Sequence, residues 1–335
     1  MTALGNVFTF SPKLASNHSR STATAATAPN PTYQVFNRRT KRLQRSRSAQ
    51  NPTSSRATDY LKSEISLRLI DRIQDIQRPL QHILDLGAGA CHIARHLPPG
   101  ISSRLEKLTC VDMSRELLYR DAALEFNDNL PIERVVADEE VPPFAVDTFD
   151  AVVSSLSMHW VNDLPYTLSR INRILKPDAP FIAAMLGGDT LFELRTSLQL
   201  AELERRGGVS PRVSPLADVR DVGGLMQRAG FKLLTIDVDD VVVEFPDVFA
   251  LMADLNAMGE GNAVLTRQVG PIGRDMLMAA EGVYRELHGL DGRLPATFRI
   301  IYMIGWKEGE NQPKPLPRGS GEISMKDILE GGSKE

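Results

Sequence analysis

The sequence predicts an α/β fold built on a doubly wound, mostly parallel sheet of seven strands. Three observations carry that reading. Seven apolar runs of strand length recur between residues 82 and 306. Helical patterns separate most of them. The first run, HILDL, passes directly into the glycine turn GAGAC and then into a helical pattern. Strands that alternate with helices at this spacing are the mark of parallel βαβ units.

A length of 335 residues allows two domains, or one large domain with extensions. We take the second, with the folded domain over 58–310 and a Pro/Gly-rich tail over 311–335. No uninterrupted apolar window of about 18 residues is present to span a bilayer. The net charge of −3 conceals an asymmetry. Residues 1–58 contain no acid and nine basic residues, which leaves 30 basic against 42 acidic residues, a balance of −12, for the rest. Residues 1–32, rich in Ala, Ser and Thr and free of acids, read as a mitochondrial transit peptide rather than a secretory leader. A nucleic-acid-binding arm is the competing reading, disfavoured by only two basic residues before Asn30. Residues 33–57 form a basic extension, expected to be unstructured apart from a block, YQVFNRRTKRLQRSRSA, that touches the folded part. Two cysteines, Cys91 and Cys110, make no disulfide framework.

From Thr58 a helix is expected through Leu61, Ile65, Leu69 and Ile73, stopped by Pro79. The expected strands are His82–Leu86, Leu108–Val111, Ile132–Ala137, Phe149–Ser155, Phe181–Leu186, Lys232–Val243 and Thr297–Trp306. Between the fourth and fifth, Asp163 caps a helix with Pro165 in its first turn and Leu164, Leu168, Ile171 and Ile174 on its buried stripe. A further helix over Thr190–Arg206 buries Leu191, Leu194, Leu198 and Ala201.

The turn after the first strand carries the chemistry. The dinucleotide pattern G-x-G-x-x-G fails, because His92 stands at its third glycine. The shorter pattern Asp-x-Gly-x-Gly-x-Gly, typical of S-adenosylmethionine binding, is matched by Asp85, Gly87 and Gly89, with Cys91 at the fourth position. Glycines there allow a tight turn and a close ligand approach, and the following helix offers amides to a carboxylate. The second strand ends at Asp112, at the separation expected of an acid that holds ribose hydroxyls. The third ends at Asp138, placed to accept from an adenine amino group. Asp85, Asp112 and Asp138 thus share the carboxyl rim of the sheet, where open α/β folds bind ligands. Three acids on one rim are an electrostatic liability without a partner, which favours an adenosyl ligand over acids acting as turn formers.

These blocks, with DTFDAVVSSLSMHWVNDLPYTLSRINRILKPDAPFIAAM, resemble a class I SAM-dependent methyltransferase, a Rossmann-like fold. Further blocks, VFNRRTKRLQRSRSA, GGDTLFELRTSLQLAE, DVRDVGGLMQRAGF and PATFRIIYMIGWK, resemble the mitochondrial complex I assembly factor 5 family. The resemblance runs from Val35 to Asp327. It implies a matrix-side protein, in peripheral contact with the inner membrane, that modifies an arginine of a peripheral-arm subunit by hydroxylation or methylation. It implies S-adenosylmethionine as cofactor, held by Asp85, Gly87, Gly89, Asp112, Met113, Asp138 and Glu139. Departures are Asn37, where members carry aspartate, and Ala88 and Ala90, where Cys and Ser or Thr are common.

Two alternatives stay open: a methyltransferase of a small carboxylate or acyl-carrier thioester, and a non-catalytic SAM-binding chaperone. The basic block Arg38–Arg47 favours an acidic protein surface as partner. His159 follows the fourth strand and either takes a proton from the target or merely hydrogen-bonds, its pKa lying near neutrality; Trp160 packs on adenine or on the core. Asp189 and Glu193 can grip a guanidinium, although Thr190 and Glu193 also fit a capping box. His92 and His96 lie four apart, a spacing that can share a metal, but no HExxH and no carboxylate at the spacing of a facial iron triad accompanies them, and no metal is expected. The segment 241–267 is expected to shape a cleft or partner surface, with Met252, Met258, Phe245 and Phe249 as its docking side chains or as core.

Overall fold

The computed structural model describes residues 34–128, 130–267 and 272–313. The expected leader and nearly all of the expected tail lie outside the described residues. Three helices come first: α1 (Arg38–Gln50), α2 (Pro52–Ala57) and α3 (Tyr60–Gln74). Next, β1 (His82–Leu86) leads through α4 (His92–His96) and α5 (Pro99–Ser102) to β2 (Lys107–Asp112). Then come α6 (Arg115–Leu118), β3 (Ile132–Val136), β4 (Ala151–Ser155), α7 (Leu164–Ile174) and β5 (Pro180–Leu186). The remainder is α8 (Phe192–Arg206), α9 (Val219–Arg228), β6 (Phe231–Phe245), α10 (Val248–Ala257), α11 (Arg274–His288) and β7 (Leu294–Lys307).

The seven strands form one sheet in the order β3-β2-β1-β4-β5-β7-β6. The first five are parallel, and β7 runs antiparallel to both of its neighbours. The strand order reverses direction between β1 and β4, the point where a crevice opens at the carboxyl ends of parallel strands. Alternation along each strand builds two cores, one on each face. On β5, Ile182 and Ala184 join α3, α8 and α11, while Phe181, Ala183 and Met185 join α7 and α9. The doubly wound sheet expected from the sequence is therefore the sheet found.

Local signals explain several boundaries. Asp163 accepts from the Tyr166 amide at 3.0 Å and starts α7, whose Leu168, Ile171 and Ile174 are buried. Asp150 sits at the opposite rim from the crevice. It accepts from the His82 amide at 2.9 Å and pairs with Lys176 at 2.8 Å, tying the start of β4 to β1.

One expectation holds only in part. The block YQVFNRRTKRLQRSRSA does touch the folded part, with Phe36 in a β-bridge to Val264, but the extension is helical rather than unstructured, over Arg38–Gln50 and Pro52–Ala57. Asn37 caps α1 by accepting from the Thr40 amide at 3.0 Å, so amide and carboxylate serve equally at this position. Polar composition concealed the packing, since the buried side of α1 consists of Lys41, Arg45, Ser48 and Ala49.

Candidate active site

At the end of β1 the backbone passes through left-handed conformations at Gly87 (φ 78°) and Gly89 (φ 55°). Cys91 is left-handed too (φ 61°), with its side chain fully buried. A cysteine thus keeps the backbone shape that the missing glycine would have supplied. The amides of Gly87 and Ala88 both donate to the Val111 carbonyl at 2.8 Å, locking the turn to β2. Asp112 accepts from the Gly89 amide at 3.1 Å and the Ser114 amide at 2.7 Å. Met113 is buried beside it.

Asp85 lies beneath this turn, fully buried, and neither carboxylate oxygen has a hydrogen-bond partner. Burial, with Asp112 adding to it, pushes its pKa up to about 8. A buried polar group left unsatisfied is costly, and one at a ligand-binding rim points to a ligand group that completes it.

The acids of the rim have an internal partner that the sequence reading missed. Arg45 donates to Asp112 at 3.0 Å and to Glu139 at 2.6 Å, and reaches Ser157 Oγ at 3.2 Å. Arg38 pairs with Asp138 at 2.6 Å, with Glu139, and with the Trp160 carbonyl at 3.1 Å. Burial alone would raise the Glu139 carboxyl, but Arg38 and Arg45 hold it down to about 2. This corrects two expectations. The rim charge is offset without a ligand, and Arg38 and Arg45 face the chain's own acids rather than a partner's surface.

Next to the turn is a space of only about 20 Å³, lined by Asp85, Gly87, Gly89, Asp112, Arg45 and neighbours. It adjoins a cavity of about 220 Å³ with mainly apolar walls, among them Leu194, Leu198, Leu255 and Phe298. Lys62, Leu156 and Glu260 line both. Glu260, in the loop GEGN, is the hub that no sequence motif announced. Its Oε2 accepts from Trp160 Nε1 at 2.6 Å and stands 3.6 Å from His159 Nε2 and 4.0 Å from Lys41 Nζ. Lys62 Nζ lies 3.7 Å from Oε1. Lys41 Nζ sits 3.3 Å over the Trp160 ring, and burial lowers its pKa to about 7.

His159 is therefore in the cavity wall, as its place after β4 suggested. Burial lowers its pKa, so it is neutral at pH 7, and both ring nitrogens lack a hydrogen-bond partner. Trp160 packs edge-on against Phe36 at 5.2 Å, which supports the core reading of this ring. Of segment 241–267, Met252 and Met258 line the cavity, Met258 and Phe245 belong to the core, and Phe249 is exposed.

Asp189 and Glu193 do not come together to grip a cation. Asp189 is exposed and pairs with Arg299, which also holds Asp240 at 2.8 Å. The capping box does not form either: Leu191 takes the N-cap position of α8, and Thr190 Oγ1 exchanges hydrogen bonds with the backbone of Arg299. Glu193 instead accepts from the amide (3.3 Å) and hydroxyl of Thr297, fixing α8 to β7. Glu193→Ala leaves both donors buried and unsatisfied, so a loss of about 1–3 kcal/mol is expected in urea unfolding, mostly recovered in Glu193→Gln. His92 is buried with Nε2 3.5 Å from Asp59. Among the described residues no three His, Cys, Asp or Glu side chains gather as a metal site would require.

A methyltransferase domain family matches residues 84–183. Over 298 residues the chain is 47% identical to a Homo sapiens protein described as arginine-hydroxylase NDUFAF5, mitochondrial, covering 89% of this chain and 84% of that one. It is 32% identical over 256 residues to a Methylovorus malonyl-acyl-carrier protein O-methyltransferase, covering 75% and 83%. Among solved structures, the YcgJ protein of Bacillus subtilis superposes with a TM-score of 0.51 at 15% identity, over 73% of this chain and 99% of that one. That last likeness is one of fold.

Proposed function

The chain belongs to the NDUFAF5 family of mitochondrial arginine hydroxylases, and we propose from that premise that it binds S-adenosylmethionine and modifies an arginine of a complex I peripheral-arm subunit during assembly. One structural observation carries the reading: the glycine turn with its unpartnered Asp85 adjoins a separate 220 Å³ cavity through Lys62, Leu156 and Glu260. A cofactor site and a target site in contact are what group transfer or cofactor-assisted modification needs.

The residues fit the cofactor chemically. Gly87 and Gly89 shape the turn, Asp85 offers a buried acceptor, and Asp112, Met113, Asp138 and Glu139 form the rim that takes the adenosyl portion. When bound, the sulfonium supplies an electrophilic methyl group. The chain's own part is to align the target, with methylenes against the leucines of the cavity and a polar head near Glu260 Oε1. Neutral His159 in the cavity wall stands ready to accept a proton. A mitochondrial location follows the relatives' names, and we assign the matrix side of the inner membrane with peripheral contact. Among the described residues no helix is long and apolar enough to cross a membrane.

The apolar walls and the acyl-carrier relative favour a second reading, methylation of a small carboxylate or carrier-bound thioester. High-resolution mass spectrometry of complex I subunits from cells with and without this protein separates the readings. Loss of one oxygen increment on an arginine establishes the hydroxylase; loss of a methylene increment establishes protein methylation. If assembly fails with every subunit mass unchanged, modification of a subunit is excluded and a chaperone role remains.

A further inference from the structure

Arg38, Lys41 and Arg45 follow one another by three and four residues, so α1 presents them on one face. Arg38 holds Asp138 and shares Glu139 with Arg45. Arg45 occupies Asp112 and Glu139; Lys41 donates to the carbonyls of Gly259 (3.1 Å) and Gly261 (2.8 Å), on either side of Glu260. The helix is seated tightly there, since a Cβ on Gly259 would stand 3.3 Å from the Arg45 backbone. With Arg45 in place, about 20 Å³ remains at the glycine turn, against roughly 300–1,000 Å³ in ordinary ligand sites.

We propose that α1 is a bolt shared by the two sites: the cofactor enters only when Arg45 leaves Asp112 and Glu139, and the same movement withdraws Lys41 from the loop that carries Glu260. With Arg45 in place, Asp112 Oδ2 accepts from Arg45 and the Gly89 amide and Oδ1 from the Ser114 amide, which leaves too few acceptor positions for a pair of ribose hydroxyls. The buried side of α1 suits release, because Ala49 is its one apolar member and the rest of its seating is ionic and hydrogen-bonded. Asn51 marks the hinge: its backbone ends α1 and its side chain caps α2, accepting from the Ser54 amide at 3.2 Å. Cofactor binding thereby opens the target cavity, and binding is ordered, cofactor first. The inference rests on the cofactor reading given above.

Hydrogen exchange of the full chain, with and without saturating S-adenosylhomocysteine, tests it. Faster exchange over 38–50 and 259–262, with slower exchange at 85–91, is the expected result. Unchanged or slower exchange over 38–50 overturns the bolt and means the helix stays closed over the cofactor. Arg45→Met, which keeps the stem and removes the competing guanidinium, is expected to tighten S-adenosylhomocysteine about tenfold in calorimetry, as for a site accessible a tenth of the time. Equal or weaker affinity counts against the proposal. If neither protein binds the ligand, the cofactor reading itself fails; if both bind it with α1 still protected, the bolt alone fails.

Discussion

Gly87→Ala is expected to cost about 2–4 kcal/mol of stability and to abolish cofactor binding, whereas Gly89→Ala two residues on is expected to cost about 1 kcal/mol. Both glycines have positive φ, so both replacements carry the backbone penalty of a left-handed L-residue. They differ in what a Cβ would meet. At Gly89 the nearest atom is Leu117 Cδ2 at 3.8 Å, an ordinary contact. At Gly87 the new atom would overlap Cβ and Oγ of Ser157. Ser157 cannot simply step aside, because its Oγ donates to Glu139 at 3.1 Å and accepts from Arg45 at 3.2 Å. The overlap therefore propagates into the buried ion pairs of the rim.

A double-variant cycle separates the two contributions. Ser157→Gly in the Gly87→Ala background removes the overlapping atoms and returns the steric share, leaving the backbone share of about 1 kcal/mol. Guanidinium unfolding of the four proteins reads this directly. A Gly87→Ala single variant as stable as Gly89→Ala contradicts the packing described at the turn. Gly87→Arg goes further and fills the turn with a long side chain, so no binding of S-adenosylhomocysteine should survive in calorimetry.

What the sequence disclosed and what it hid divide along sequence distance. The central strands were legible because a short apolar run bounded by turns is a local signal, and so was α7, whose cap and stripe lie within a dozen residues. The glycine turn was legible because its shape depends on adjacent residues, and even Cys91 keeps that shape. The partners were not. Arg45 meets Asp112 and Glu139 from 67 and 94 residues away, and Glu260 meets Trp160 from 100. Nothing in a run such as RRTKRLQRSR says whether its cations face water, a partner or the chain's own acids. A signal was nevertheless present: Arg38 and Arg45 on one helix face and Asp112 and Asp138 on one rim are complementary. Thr190 and Glu193 show the reverse error, where a local capping pattern yielded to pairing with Thr297 and Arg299 from β7. The buried ends of that strand have backbone donors to satisfy, and a long-range bond to Glu193 outweighs a cap that Leu191 can replace without a side chain.

Asp85 sets the expected pH dependence. Its folded pKa, raised from 3.8 to about 8 by burial and by Asp112, lies above its unfolded value. Between those limits the folded state holds a proton that the unfolded state has lost, so stability falls as pH rises from about 4 to about 8. Asp85→Asn presents a neutral group of the same shape at every pH. It is expected to match the parent protein only at about pH 4 and below and to exceed it by several kcal/mol at pH 8, since each tenfold difference in proton affinity between the two states is worth about 1.4 kcal/mol. Chemical unfolding at both pH values checks this; a constant difference between the two proteins would mean that Asp85 is ionised throughout. The same proton reports on the site. A cationic ammonium brought beside Asp85 favours the carboxylate, so S-adenosylhomocysteine binding at pH 7 should release a proton from the parent protein and not from Asp85→Asn. Calorimetry in two buffers of different ionisation enthalpy measures that release. Equal release from both proteins would move the ammonium elsewhere and leave Asp85 as a buried acid serving the turn alone.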